Sequence, residues 1–429
     1  MSFVSVPAAG TPVLLDSPEH IAAAGRALAA GTGPIAIDTE RASAFRYDDR
    51  AFVIQLRRRG TETFLIDPEA EPSATRRLSQ VVNQSEWVLH AAHTDLPCLL
   101  ALGWTPPAIH DTQVAAQILG KKRIGLSAML EDYFDIVVPK DKGNADWSRR
   151  PLSPAMLNYA ALDVEWLVEL SEAALNDVAD AGRMDWYTQE CAHILATATP
   201  LASNDWTGLK GLNSVRRTSA RKLAHDLWEK RDQIARQRDI SPESILRSRD
   251  LISIAGGAED NRAAALRELK MSLRSSRAHL PSRTHKHFIE AFTDALSSAP
   301  SDLEMEQYRA PQYCGPRIPD HKLWPEEFPR AAAYADAILN TALDLADTLE
   351  IRLDTIATRK NLRKAAWACW LFEDSGEYPN AADPIACWEE LLGDSWAGLG
   401  LRPWQVELLL DAAVPAVADV FARSYSFSA

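Results

Sequence analysis

Two acidic residues follow a short apolar run near the start of the chain. Ile35-Ala36-Ile37 is typical of a buried strand, and it runs directly into Asp38-Thr39-Glu40. Because side chains alternate along a strand, Asp38 and Glu40 should point to the same face. Two like charges there repel each other and are costly to desolvate unless a cation lies between them. A hard divalent ion is the natural neutraliser, although a solvated turn is the commoner explanation of such a pair on its own.

Three further residues could act with this pair. Asp95 follows another strand-like run, where it would open a helix, and an ordinary N-terminal cap explains it equally well. Tyr159 and Asp163 are four residues apart in a helical stretch, so their side chains share one face. Each element alone has a structural explanation. Their joint occurrence, in this order and within one segment, is what points to function.

The segment that carries these residues alternates β-rich and helical patterns, which is typical of an α/β domain. The patterns predict strands at Val13–Leu15, Ile35–Thr39, Ala51–Arg57, Thr63–Asp67 and Trp87–His90. They predict helices at Glu19–Ala30, Ala74–Gln84, Asp95–Leu102, Thr112–Leu119, Leu126–Tyr133 and Ser153–Leu175. Several strands follow one another with short connections, which requires antiparallel neighbours and so favours a mixed sheet flanked by helices.

From about Asn204 onward the chain reads as helices separated by Pro, Gly and Ser. The stretch Ser297–Pro319 is rich in Pro and Ser, with little periodicity, and is typical of a linker. We therefore expect four units: an α/β domain at 1–200, a helical domain at 205–295, a linker at 296–319 and a second helical domain at 320–429.

The acids and the tyrosine, together with their flanking tracts, resemble the DEDD superfamily of 3′-5′ exonucleases, in the subgroup whose last motif carries a tyrosine. Closer still is the resemblance to the ribonuclease D family. The supporting tracts are Ala36-Ile37-Asp38-Thr39-Glu40, Val53-Ile54-Gln55-Leu56, His110-Asp111-Thr112-Gln113 and Trp147-Ser148-Arg149-Arg150-Pro151-Leu152-Ser153.

This resemblance implies a ribonuclease-H-like fold and two divalent cations, Mg²⁺ or Mn²⁺, held by Asp38, Glu40, Asp95 and Asp163. By the same resemblance Asp38 would bridge both ions, Glu40 and Asp163 would serve the ion that activates water, and Asp95 would help to hold the other through water. Tyr159 would orient the attacking water. A tyrosine with an ordinary pKa near 10 is a poor base at neutral pH, so the metal should supply most of the acidification.

The middle of the chain is similar to the HRDC domain, a helical module that can bind nucleic acid through a basic face. The similarity lies in the run from Leu223 to Ala255. Residues 205–290 contain 18 Lys and Arg against 11 Asp and Glu, a net charge of 18 − 11 = +7, whereas the whole chain carries −13. The acidic total argues against non-specific coating of nucleic acid, so contacts should be local. Candidate phosphate contacts, for which solvated surface residues are an equally good explanation, are Lys121, Lys122, Arg123, Arg149, Arg150, Lys210, Arg216, Arg217, Arg221 and Lys222.

Residues 320–429 contain 9 Lys and Arg against 18 Asp and Glu. The position of this helical segment suggests a second HRDC-like domain, and its acidity favours packing against the rest of the protein over RNA binding. No apolar run approaches membrane-helix length, and the first residues lack a signal-peptide pattern, so we expect a cytoplasmic location. The five scattered cysteines fit neither a zinc site nor a disulfide framework.

The sequence thus predicts a monomeric 3′-5′ exoribonuclease that releases nucleoside 5′-monophosphates from RNA with a free 3′ end, such as tRNA precursors, with no obligate protein partner. A DNA exonuclease is an alternative, because the catalytic acids act on the phosphate and ignore the 2′ position of the sugar. A catalytically silent scaffold that binds nucleic acid is a second alternative.

Overall fold

The buried apolar side chains gather in three successive parts of the chain. The computed structural model describes residues 2–139, 143, 145–201, 205–297, 305–310, 318–375 and 384–425. We call residues 2–201 the N-terminal part, residues 205–297 the middle helical part and residues 318–425 the C-terminal helical part. Most buried apolar residues pack within their own part. Much of the expected linker, residues 298–304 and 311–317, lies outside the described residues.

A six-stranded sheet forms the centre of the N-terminal part. In chain order the strands are β1 (Ser2–Phe3), β2 (Leu14–Leu15), β3 (Thr32–Arg41), β4 (Ala51–Arg59), β5 (Phe64–Ile66), β6 (Trp87–Leu89), β7 (Ile109–Asp111) and β8 (Ile136–Val137). The order across the sheet is β2-β5-β4-β3-β6-β7, and β1 pairs separately with β8. Strand β4 runs antiparallel to both its neighbours, whereas the remaining pairs are parallel. The predicted mixed sheet is confirmed.

Helices cover both faces of this sheet. They are α1 (Pro18–Ala30), α2 (Pro72–Arg77), α3 (Ser79–Val82), α4 (Leu96–Ala101), α5 (Thr112–Ile118), α6 (Leu126–Phe134), α7 (Pro154–Glu165), α8 (Leu167–Asp180) and α9 (Met184–Thr197). Helix α7 packs on β3, β4 and β5, while α8 packs against β3, β6 and α5. The single helix predicted at Ser153–Leu175 is wrong in one respect: the backbone of Trp166, at φ −119° and ψ 11°, separates α7 from α8.

The rest of the described chain is helical. The middle helical part contains α10 (Thr218–Arg238), α11 (Pro242–Ile245), α12 (Ser248–Gly257), α13 (Arg262–Arg274) and α14 (Ser282–Ser297). The C-terminal helical part contains α15 (Trp324–Glu327), α16 (Pro329–Thr348), α17 (Leu353–Ile356), α18 (Arg359–Asp374), α19 (Pro384–Gly398) and α20 (Pro403–Tyr425). Short 3-10 turns lie at Ala92–Thr94, Trp206–Gly208, Leu212–Ser214 and His321–Leu323.

The C-terminal helical part docks on helix α9. The rings of Trp186 and Trp404 are stacked with their centroids 4.8 Å apart. Glu190 accepts hydrogen bonds from Arg402 at 2.6 Å and from the Trp404 indole at 2.9 Å. These contacts agree with the expectation that the acidic C-terminal helical part packs against the rest of the protein. Within the part of the chain that the structure covers, we find no helix that combines the length and apolarity needed to cross a bilayer.

Candidate active site

Strand β3 and helix α7 bring three acidic side chains together. Asp38 and Glu40 lie two residues apart near the end of β3, and Asp163 lies in α7, which packs on that strand. One carboxylate oxygen from each of Asp38, Glu40 and Asp163 lies within 4.8 Å of the other two. We call these three residues the acidic cluster. The pairing of Asp38 and Glu40 on one face follows from the period of two along a strand.

The local sequence explains why these elements are rigid. Ile35, Ala36 and Ile37 are fully buried, and β3 is hydrogen-bonded to β4 on one side and β6 on the other. Helix α7 begins with Pro at its first position, and the Ser153 side chain accepts a hydrogen bond from the backbone N–H of Met156. The acidic cluster is therefore carried by regular backbone and not by loops.

The environment of the acidic cluster disfavours negative charge. Burial raises the pKa of Glu40 to about 9, with further contributions from Asp163 and Asp95. Burial, followed by repulsion from Asp95, raises the pKa of Asp163 to about 8. The pKa of Asp38 is likewise raised well above its ordinary range by burial and then by the neighbouring acids. Without a cation these groups must hold protons that the unfolded chain would release.

The donor set fits a hard divalent cation. Each member of the acidic cluster offers a carboxylate oxygen, and the three oxygens are close enough to share one ion. Oxygen donors suit Mg²⁺ or Mn²⁺, whereas Zn²⁺ sites usually recruit Cys or His. A divalent cation would also lower the raised pKa values, because its charge stabilises the ionised carboxylates against both burial and their mutual repulsion.

Asp95 lies outside this group of three, although it is buried nearby. Its Oδ1 accepts a hydrogen bond from the Thr39 hydroxyl at 2.5 Å, and its Oδ2 accepts one from the Thr94 hydroxyl at 2.8 Å. Burial raises its pKa, while Arg41 and the two hydroxyls oppose that shift. The structure thus places Asp95 beside the acidic cluster, with both carboxylate oxygens engaged by hydroxyls.

Tyr159 lies one helical turn before Asp163 in α7, as the spacing predicts. Its ring packs against Trp147, with the centroids 6.2 Å apart. A Cβ built on Gly143 would lie 4.0 Å from the Tyr159 hydroxyl oxygen, so the backbone of that glycine passes close to the phenol. The ring of the tyrosine is thus packed on a buried indole, and a small residue lies near its hydroxyl.

Two residues to which the sequence analysis gives no role support the acidic residues of the site. Gln55 pairs with Asp38 across β3 and β4, is fully buried, and donates its Nε2–H to Asp38 Oδ2 at 3.2 Å. Asp111 accepts hydrogen bonds from the backbone N–H groups of Ala91 and Ala92 at 3.0 and 2.8 Å, and so fixes the turn that leads to Asp95. A polar residue within the apolar run Val53–Leu56 is the signal that could have identified Gln55.

Two of the basic residues expected to contact RNA have structural roles. Arg221 is buried, donates to the carbonyls of Tyr308 and Leu212, and lies over the Trp206 ring. Its guanidinium is therefore not accessible to a phosphate, and the prediction is wrong. Arg150 donates to Asp67 at 2.5 Å and to the Phe52 carbonyl at 2.8 Å. Arg150 is thus paired with a buried acid while its own side chain stays 31% exposed, and its contact with a phosphate stays a prediction.

The other basic candidates divide into two groups. Arg123, Arg217 and Lys222 form ion pairs with neighbouring acids, and Lys121 lies over the ring of Tyr133. Lys122, Arg149, Lys210 and Arg216 are exposed and form no ion pair with another residue that the structure describes. Arg149 follows Trp147, which packs on the Tyr159 ring, by two residues in the chain.

Comparison with known proteins defines the class of the N-terminal part. Residues 13–178 match the model of the 3′-5′ exonuclease family, and all members of the acidic cluster, with Asp95 and Tyr159, fall within this match. The N-terminal part therefore contains a 3′-5′ exonuclease domain.

Similarities to individual proteins indicate a narrower class. Ribonuclease D of Acidiphilium cryptum is 31% identical over 247 residues, which cover 54% of this chain and 62% of that protein. The match thus spans less than two thirds of the relative's length. A solved protein from Bifidobacterium adolescentis is 26% identical, with a TM-score of 0.78 over 97% of this chain and 99% of the other. Escherichia coli RNase D, described as an exoribonuclease involved in structured RNA processing, shares the fold at 21% identity, with a TM-score of 0.62 over 90% and 98% of the two chains. The predicted resemblance to ribonuclease D is confirmed.

Proposed function

We propose that this protein is a metal-dependent 3′-5′ exoribonuclease that releases nucleoside 5′-monophosphates from the 3′ end of RNA. The observation that carries the proposal is the acidic cluster: three carboxylates with raised pKa values, of which Glu40 is buried and the other two are half-buried, built into a 3′-5′ exonuclease domain. Clustered carboxylates of this kind are costly in a fold that has no cation to neutralise them.

In this proposal Asp38, Glu40 and Asp163 hold divalent cations, and Asp95 assists through water. Two bound cations, Mg²⁺ or Mn²⁺, would acidify the attacking water and stabilise the leaving 3′ oxygen. Gln55 keeps the Asp38 carboxylate oriented by its hydrogen bond, and the Thr39 hydroxyl does the same for Asp95. Tyr159, held by Trp147, orients the water through its hydroxyl without acting as the base.

We infer that RNA, and in particular tRNA precursors or other stable RNAs with 3′ extensions, is the substrate, acted on in the cytoplasm by a monomer. The relatives named ribonuclease D support RNA over DNA. The middle helical part, assigned to residues 205–295, would be the HRDC domain, and residues 320–429 would be an HRDC-like domain. The exonuclease domain would comprise residues 1–200, and a linker would span 296–319. Each of the three proposed domains has its own cluster of buried apolar residues, which supports this division. Exposed Lys122, Arg149, Lys210 and Arg216 are the basic side chains most suited to contact phosphates.

The test is a time course on a 5′-labelled RNA with a single-stranded 3′ tail, resolved on a denaturing gel with Mg²⁺ or Mn²⁺ and with chelator. We expect a ladder that shortens from the 3′ end only when the metal is present, and no ladder with Asp38→Ala. A matched DNA strand degraded faster than the RNA would identify a DNA exonuclease. An inactive parent protein that still binds the RNA would identify a silent scaffold.

A further inference from the structure

We propose that Asp239, which lies in the middle helical part, is a positioning residue for hydrolysis at the acidic cluster. It fixes the loop between β3 and β4, residues 42–50, and through Arg46 the segment that packs against Tyr159. This inference rests on the proposed function for its kinetic consequences. The contacts themselves are a property of the fold.

Asp239 binds two arginines of the β3–β4 loop at once. Arg50 donates from Nη1 to Oδ1 at 3.1 Å and from Nη2 to Oδ2 at 2.8 Å, which is the parallel two-bond arrangement that guanidinium and carboxylate groups favour. Arg46 donates to Oδ2 at 3.3 Å, and the backbone N–H of Tyr47 donates to Oδ1 at 3.4 Å. One carboxylate from the middle helical part therefore ties down three residues of a loop that joins the two central strands.

The position of Asp239 is suited to this contact. The residue ends the long helix α10 in the left-handed conformation, at φ 47°, which turns the chain away from the helix axis. Asp tolerates that conformation better than most residues. Nearby, the Tyr47 hydroxyl donates to Asp232 at 2.7 Å, and the backbone N–H of Ser241 donates to the Phe45 carbonyl at 3.2 Å. The loop is thus bound to this end of α10 at several points.

Arg46 continues the chain of contacts toward Tyr159. Its Nε–H donates to the Ser148 hydroxyl oxygen at 2.8 Å, and the Ser148 hydroxyl donates to Asp146 at 2.5 Å. Trp147, which lies between these two residues in sequence, is fully buried and packs on the Tyr159 ring. Asp239 is therefore linked to the proposed water-orienting hydroxyl through Arg46, Ser148 and Trp147.

Charge explains why the carboxylate matters. The guanidinium groups of Arg46 and Arg50 lie 6.0 and 4.7 Å from the ring centroid of the same residue, Phe52, so two cations lie close together. Asp239 is the acid that contacts both of them. Its side chain is 38% exposed, and partly exposed ion pairs of this kind contribute little to global stability. Arg50 also pairs with Asp48 and Glu69, so loss of the Asp239 charge should mainly release Arg46 from its ion pair, and shift the loop there without unfolding the protein.

Asp239→Asn tests the kinetic part of the inference on the full chain. With a short single-stranded RNA we expect kcat to fall about three- to tenfold while KM stays within about twofold, because substrate contacts are retained and Tyr159 placement is not. Asp239→Glu, which keeps the charge, should recover part of the loss. Asp250→Asn is the matched control, since Asp250 also forms ion pairs with two arginines, Arg247 and Arg249, which lie three residues and one residue before it in the same helical part and not in the β3–β4 loop. It should leave kcat unchanged.

A double-mutant cycle asks whether the effect passes through Tyr159. In a Tyr159→Phe background, Asp239→Asn should lower kcat by less than about twofold, because the hydroxyl that Asp239 helps to position is already absent. An equal loss in both backgrounds, or a parent-like kcat for Asp239→Asn, would overturn the inference.

Hydrogen exchange separates this inference from the proposed function, because it requires no activity. Asp239→Asn should speed exchange at least threefold in peptides covering residues 145–152, and leave the peptide covering α9 unchanged. If the parent degrades no RNA, the proposed function fails while faster exchange still supports the link from Asp239 to this segment. Unchanged exchange at 145–152 would refute the link itself.

Discussion

Replacing Glu40 with Gln should stabilise the N-terminal part when no divalent metal is present. Glu40 is 7% exposed, and its pKa is raised from 4.5 to about 9, mainly by burial. Between these two pH values the folded protein keeps a proton that the unfolded chain releases. Stability contributed by this group is therefore lost as pH rises from 4.5 toward 9.

The size of the effect follows from this difference in proton binding. One retained proton gives a slope of about 1.4 kcal/mol per pH unit, so at pH 7 the neutralisation of Glu40 costs the folded state up to about 3 kcal/mol. Gln needs no protonation, and we expect Glu40→Gln to recover about 1–3 kcal/mol at pH 7 in chelator. In excess Mg²⁺ or Mn²⁺ the parent should be more stable than Glu40→Gln, because the variant loses a metal ligand and with it the stabilisation that metal binding provides.

Hydrogen exchange of the β3 amides measures this directly, since it reports the opening free energy of the N-terminal part and not that of the helical parts. The measurement compares the parent and Glu40→Gln at pH 6, 7 and 8, with chelator and with Mn²⁺. Glu172→Gln serves as the control, because Glu172 is half exposed and pairs with Arg59 on the surface. If Glu40→Gln in chelator were no more stable than the parent and showed the same pH slope, the electrostatic description of the site would be refuted.

Three further outcomes follow from the same contacts. Tyr159→Phe should lower kcat by at least about tenfold in a steady-state assay with unchanged thermal stability, because only the water-orienting hydroxyl is removed; a parent-like kcat would exclude that role. Gln55→Leu should weaken Mn²⁺ binding about 10- to 100-fold in a calorimetric titration, as expected when the partner of a metal ligand is lost, and unchanged affinity would show that Asp38 needs no such support. Arg216→Ala should reduce the slope of RNA affinity against salt concentration by about one ion in a titration series. Arg221→Ala should leave that slope unchanged and lower thermal stability, because Arg221 is buried. A reduced slope for Arg221→Ala would contradict this structural role.

The positions of the acids on regular elements could be predicted from the sequence. A period of two places Asp38 and Glu40 on one strand face, and a spacing of four places Tyr159 and Asp163 on one helix face. The hydroxyl contacts of Asp95 could not be predicted, because Thr39 and Asp95 are 56 residues apart and meet only through strand pairing. Local pattern carries no information on such a contact.

Short or interrupted elements were harder to predict than long ones. Strand β7 is three residues long, Ile109–Asp111, which is too short to show alternation, and it was not predicted. The break at Trp166 within the predicted helix Ser153–Leu175 accompanies a change of packing partners, since α7 packs on β3, β4 and β5 whereas α8 packs against β3, β6 and α5. Tertiary packing, and not local preference, determines both features.

Arg221 shows why a count of charges overestimates a binding surface. The net charge of +7 for residues 205–290 treats every basic side chain as available. Apolar residues Ala220, Leu223, Ala224 and Leu227 define the buried face of helix α10, and Arg221 lies on the same face, three residues before Ala224. Helical spacing could have revealed this, whereas composition could not.

Divalent-metal binding by the acidic cluster is the central claim, and calorimetric titration of the full-length protein with Mn²⁺ tests it most directly. We expect saturable binding by the parent that releases protons at pH 7, since the carboxylic acids must ionise to bind the ion. Asp38→Asn should abolish this binding, and Asp250→Asn should retain it. Equal binding by the parent and Asp38→Asn, or no binding by the parent at millimolar Mn²⁺, would contradict the account.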